Sequence, residues 1–113
     1  MKIQVSKQAI NFVVAYEKKQ GRKPEVLAEG KGYDVLSSER KIEVKGVSHR
    51  RPPFILFNQY NFKALQREDN FYLYIVYDIG DKPKLLILDK DEVLRRAKFQ
   101  YGWEIPLWKR DFS

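Results

Sequence analysis

The chain predicts an α/β sandwich, a mixed central β-sheet flanked by helices, and three observations carry that reading. Near the N-terminus Ile10, Val13, Val14 and Glu17 follow the i, i+3, i+4, i+7 spacing of one helical face. The run FYLYIVYDI at 71–79 is β-prone throughout, as a strand covered on both faces has to be. Between and beyond them the order helix, strands, helix, strands fills 113 residues, about the length of one domain, so 1–113 is read as a single unit.

Taken in order, Ser6 is placed to cap the first helix, which should run to about Gln20, where Gly21 can end it. A short strand is expected around 25–29. Two more, at 33–37 and 41–45, turn near Ser38 and Glu39, and Gly46 closes that unit. VSHRRPP at 47–53 reads as a loop, because two prolines cannot sit in a central strand and three basic side chains resist burial. Residues 54–57 form another strand, Asn58 caps a helix to about Glu68, and 71–79 is the central strand. GDKP at 80–83 turns into a partner strand at 83–88, and Asp89 or Asp91 caps a helix through Lys98. The aromatic tail QYGWEIPLW at 100–108 fits no element; Trp103, Leu107 and Trp108 are open to covering the sheet or a twin subunit in a homodimer.

Composition narrows the chemistry. With no cysteine and one histidine, His49, thiolate catalysis and zinc sites built on Cys or His are excluded, so any metal must take oxygen ligands. Lys and Arg outnumber Asp and Glu by 22 to 15, and the net charge of +7 favours a polyanionic partner through counterion release. Apolar runs such as LYIVY at 73–77 fall far short of the roughly 20 residues of a membrane helix. MKIQVSKQ lacks a signal-peptide core, and a cytoplasmic protein is expected.

KGYDVLSSERKIEVKG at 31–46 holds the candidate site. A hairpin turning about Ser38 and Glu39 sets Val35 opposite Ile42 and Asp34 opposite Glu43. Alternation then puts Val35, Ile42 and Val44 on the core face, and Glu43 and Lys45 together on the other. Two opposed carboxylates repel unless a cation lies between them. A surface cluster neutralised by Lys45 satisfies that spacing. So does Mg²⁺, a hard ion that takes one or two carboxylates together with waters and phosphate oxygens.

GYD at 32–34 and IEVKG at 42–46, preceded by a helix carrying Glu17, resemble the PD-(D/E)XK nuclease core. The longer arrangement E…GYDVLSSERKIEVKG…FILFNQYNFKAL…FYLYIVYDI resembles the nuclease-like domain at the C-terminus of plant NO VEIN proteins. More loosely it resembles archaeal Holliday junction resolvases and Mrr-like restriction endonucleases. The likeness covers about 6–88, and Tyr33 stands where the motif's name has proline. It implies a restriction-endonuclease-like fold and a Mg²⁺-dependent endonuclease, with Mn²⁺ as a substitute, hydrolysing DNA phosphodiesters in repair, recombination or restriction. Asp34 and Glu43 would be metal ligands, Lys45 the catalytic lysine, and Glu17 an additional acid and ligand reaching Asp34 from the first helix. Helicase or restriction-system partners follow from the same likeness. The alternative is a non-catalytic DNA-binding or interaction module on the same fold.

Four further residues are candidates for nucleic-acid contact. His49, Arg50 and Arg51 directly follow the lysine strand and suit phosphate oxygens. Gln59 opens the second helix beside the expected site, where a polar residue is also ordinary helix chemistry.

Overall fold

The computed structural model describes residues 2–28, 31–99 and 102–112. Helix α1 (Lys2–Lys19) begins ahead of Ser6, which therefore lies exposed within the helix and does not cap it. No glycine or proline interrupts the residues before it, and a mid-helix serine costs only tenths of a kcal/mol, roughly. The other end is as expected. Gly21 adopts φ +85°, its N–H donates to the Lys18 carbonyl (3.0 Å), and the Arg22 N–H reaches back to the Glu17 carbonyl (3.0 Å). This double closure points Arg22 back along the helix.

Then follow β1 (Pro24–Val26), β2 (Val35–Ser37), β3 (Arg40–Gly46) and β4 (Phe54–Phe57). Next come α2 (Gln59–Arg67), β5 (Phe71–Tyr77), β6 (Lys84–Asp89) and α3 (Lys90–Arg96). Two short strands, β7 (Lys98–Phe99) and β8 (Trp103–Pro106), and a terminal 3₁₀ turn (Lys109–Phe112) finish the chain. The expected end of the first strand, Glu29, lies outside the described residues. The principal sheet has the order β1-β2-β3-β5-β6. It is mixed, as expected: β3 and β5 run parallel and the other pairs antiparallel. Val35 pairs with Ile42 in the counted register, with Ser38 at φ +54° in the turn.

Each face of this sheet has its own core. On one side Val35, Ile42, Val44, Tyr74 and Val76 pack with Ala9 and Val13 of α1. On the other, Phe71, Leu73, Ile75 and Tyr77 pack with Ala64 and Leu65 of α2 and Val93 of α3. Alternate residues along 71–77 thus enter opposite cores, as in a strand covered on both faces. Among the described residues, no helix is long and apolar enough to cross a membrane.

The tail departs from expectation by forming structure of its own. β4 leaves the principal sheet and joins β8 and β7 in a second, three-stranded antiparallel sheet, whose Ile55, Phe57 and Ile105 enter the core beside α2. The third helix stops at Arg96 and leaves Lys98 to β7. Asp89 is its cap, accepting the Glu92 N–H. Buried Arg96 ties the terminal turn to α3 by two 2.9 Å bonds to Asp111, with its guanidinium 4.0 Å from the Trp108 ring. Leu107 is buried in the same core.

Candidate active site

Asp34 sits one residue ahead of the β2 ladder and is held from both sides. Its N–H donates to the Ile42 carbonyl (2.8 Å), its own carbonyl accepts from Leu27 (2.9 Å), and its carboxylate accepts the Val44 N–H (2.8 Å). Backbone and side chain alike therefore tie it to Ile42 and Val44, the residues on either side of Glu43.

Glu43 and Lys45 pair with Leu73 and Ile75 of β5, so their side chains emerge on the α2 side of the sheet. Glu43 is only 5% exposed. Burial pushes its carboxyl up to about 8, and the negative charge of Asp34 adds to the rise while Lys45 opposes it. The Lys45 ammonium lies 3.2 Å from Glu43 Oε2 and donates to Asn61 Oδ1 (3.3 Å).

Asn61 was not singled out from the sequence, yet it joins the site to α2. Its Oδ1 also accepts the Asn58 N–H (3.2 Å), and its Nδ2 donates to the Gly32 carbonyl (3.0 Å). The signal is the Asn58-x-x-Asn61 spacing, a reciprocal capping box at the start of α2. Gly32 has φ +82°, and a Cβ there would stand 2.4 Å from the Tyr60 carbonyl oxygen. Gly32→Ala should therefore cost about 3 kcal/mol through strain and backbone collision. A thermal melt matching wild type would contradict that close approach.

Asp34, Glu43, Gly32, Tyr60 and Asn61 line a cleft of about 400 Å³. Glu17 does not join them. It is fully buried at the end of α1, where both its oxygens take the Arg22 guanidinium and Oε2 also accepts the Tyr74 hydroxyl (2.7 Å). Tyr74 pairs with Val44 and belongs to the α1-side core, across the sheet from Glu43. The cation opposite Glu17 is Arg22, not a metal ion shared with Asp34. Burial works against the Glu17 anion, but hydrogen bonds from Arg22 and Tyr74 outweigh it and hold the carboxyl below its ordinary value.

His49, Arg50 and Arg51 are exposed, on a loop anchored where the Asp78 N–H donates to the His49 carbonyl (2.9 Å). They do not line the carboxylate cleft. Gln59 is exposed at the first turn of α2 and faces a neighbouring cleft instead.

Among the described residues, no three of His, Cys, Asp and Glu are grouped to hold a metal ion. The donor set at this site is the two carboxylates, which fits a hard divalent ion such as Mg²⁺ whose remaining ligands are waters and phosphate oxygens. The elevated Glu43 carboxyl fits too, because a buried anion beside a second anion is short of positive charge.

Over residues 5–88, from α1 to β6, the chain matches the family described as Protein NO VEIN, C-terminal. It belongs to that family. The matched stretch of the NO VEIN C-terminal domain contains Asp34, Glu43, Lys45, Asn61 and the Glu17 cluster, whereas α3, β7 and β8 lie beyond it. No curated protein and no solved structure matches the chain.

Proposed function

We propose that this NO VEIN C-terminal domain is a Mg²⁺-dependent endonuclease, with Mn²⁺ as a substitute, that hydrolyses DNA phosphodiesters. One observation carries the reading: a buried Glu43 carboxyl and a pinned Asp34 carboxylate line one open cleft, and the Lys45 ammonium lies 3.2 Å from Glu43. Asp34 and Glu43 are the residues that would hold the ion, which supplies Lewis acidity toward a phosphoryl oxygen and a more acidic water. Lys45, free to exchange its Glu43 and Asn61 partners for a phosphate oxygen, stabilises the negative charge that grows there. Asn61 positions Lys45 and, through Gly32, the turn that leads into Asp34. Glu17 has no part in the chemistry.

A second reading has its own observation in favour. With Glu17 committed to Arg22, two acids remain, and the same surface suits a DNA-binding or interaction module without turnover. Purified protein incubated with flayed, junction and plasmid DNA in Mg²⁺, Mn²⁺ or EDTA separates the two. Cleavage only with the divalent ions supports the nuclease; binding without cleavage in all three supports the module.

In either case the loop beyond β3 is the expected phosphate contact. Replacing Arg50 and Arg51 together by Ala should weaken binding to all sequences alike and lower the salt slope of log K by about 2. An unchanged slope would leave those side chains simply solvated.

A further inference from the structure

A second cleft of about 670 Å³ adjoins the carboxylates. Asn58 lines both, and Lys45, which lines the second, pairs with Glu43 and Asn61 of the first. The walls of the second cleft are aromatic and come from the second sheet. Trp103 of β8 is fixed by flat stacking on Phe62, with centroids 3.8 Å apart and planes 4° apart, and Phe99 of β7 meets it edge-on at 5.2 Å. Yet Phe99 is 62% exposed and Leu56 57%. Packing of the sheet does not account for apolar side chains left so open around one cavity.

The lining also carries polar groups of a particular kind. Asn58, Gln59 and Glu104 bring amide and carboxylate groups, the chemistry that pairs with the edge of a heterocyclic base. The Lys45 ammonium, 5.8 Å from the centre of the Phe57 ring, stands between this cleft and the carboxylates. A flat ring with hydrogen-bonding edges, joined to a phosphate, matches that sequence of walls, edges and cation. A paired base inside a duplex has both its faces stacked and its edge occupied, so it could not enter.

We infer that the aromatic cleft receives an unpaired base of a single DNA strand, adjacent to the phosphate that Asp34, Glu43 and Lys45 would engage. Only the position of that phosphate rests on the proposed nuclease function; the base contacts stand on the cleft itself. Gln59 thereby acquires a place at the base edge rather than at the carboxylates.

Fluorescence anisotropy in EDTA tests the inference with three probes: a short oligothymidylate, the same strand with abasic central positions, and a blunt duplex. Wild type should bind the base-bearing strand about tenfold more tightly than the abasic one. Phe99→Ala and Leu56→Ala remove exposed side chains and should melt like wild type. Each should erase most of that tenfold preference while leaving duplex affinity unchanged. Equal binding of the base-bearing and abasic strands by wild type would overturn the inference. So would unchanged strand affinity in both variants, or a Phe99→Ala effect confined to dissociation of a dimer in sedimentation. Base-dependent binding without Mg²⁺-dependent cleavage would remove the nuclease reading and leave the cleft assignment standing. Cleavage without base discrimination would remove the cleft assignment alone.

Discussion

Glu43→Gln is expected to abolish metal-dependent cleavage and, with chelator present, to stabilise the fold at slightly alkaline pH. The first effect follows from removing one of two carboxylates that face the same cleft; a loss of at least about 10³-fold corresponds to about 4 kcal/mol of transition-state stabilisation. The second comes from linkage. The carboxyl titrates near its ordinary 4.5 when unfolded and at about 8 when folded. Between those values the folded protein holds more protons than the unfolded chain, so wild-type stability declines as pH rises from 4.5 to 8. Glutamine keeps the size, carries no charge and removes that decline. Thermal melts across this range, in EDTA, read the stability arm. A wild-type melting temperature that rises with pH, relative to the variant, would contradict the buried, elevated carboxyl. A cost in stability accepted for a functional group is the behaviour expected of a site rather than of a packing residue.

Glu17→Gln should do the reverse. Its carboxylate is fully buried between Arg22 and Tyr74, and Arg40 continues the chain with a 2.8 Å bond to the Tyr74 hydroxyl. Neutralising one member of such a network costs about 3 kcal/mol, because the remaining partners lose a charged acceptor they cannot replace. Cleavage per folded molecule should stay at the wild-type level, since the side chain lies across the sheet from Glu43. The pH signature is also opposite in sign. A carboxyl held below its ordinary 4.5 makes the folded state bind fewer protons than the unfolded one. Its stabilisation is therefore present above about pH 4.5 and is lost as pH falls through the lower folded value. Denaturant melts at neutral and acid pH, paired with a cleavage assay well below the melting temperature, measure both arms. Lost activity with wild-type stability would return Glu17 to the active site.

These two glutamates mark how far the residues alone could be read. The hairpin register followed from counting, because a period of two and one buried face leave a single pairing, and Val35 does face Ile42. Asp34, Glu43 and Lys45 were legible for that reason. Glu17 was correctly placed on the apolar stripe of α1, but which face of the sheet that stripe covers is a tertiary fact. The turn through Gly21 was expected only as a helix end, and that it aims Arg22 back at Glu17 shows in the closed turn itself. Asn61 was written in the spacing of a capping box, yet its second use, holding Lys45, appears only once α2 is packed against β3. Of the second sheet only β4 was legible, because β7 and β8 are two and four residues long and β4 pairs with a segment far along the chain. In a tail of mixed aromatic and polar residues, strands that short carry too little alternation to be recognised without their partner.

Asp34 and Glu43 together are expected to bind a divalent cation, and Lys45 is not. Isothermal titration of Mn²⁺ into wild type, Asp34→Asn, Glu43→Gln and Lys45→Ala tests it without any assumption about substrate. Wild type and Lys45→Ala should bind, since an ammonium is not a ligand, and both carboxylate variants should lose the binding heat. Equal titrations for all four proteins, or none for wild type, would rule out a divalent-cation site at Asp34 and Glu43.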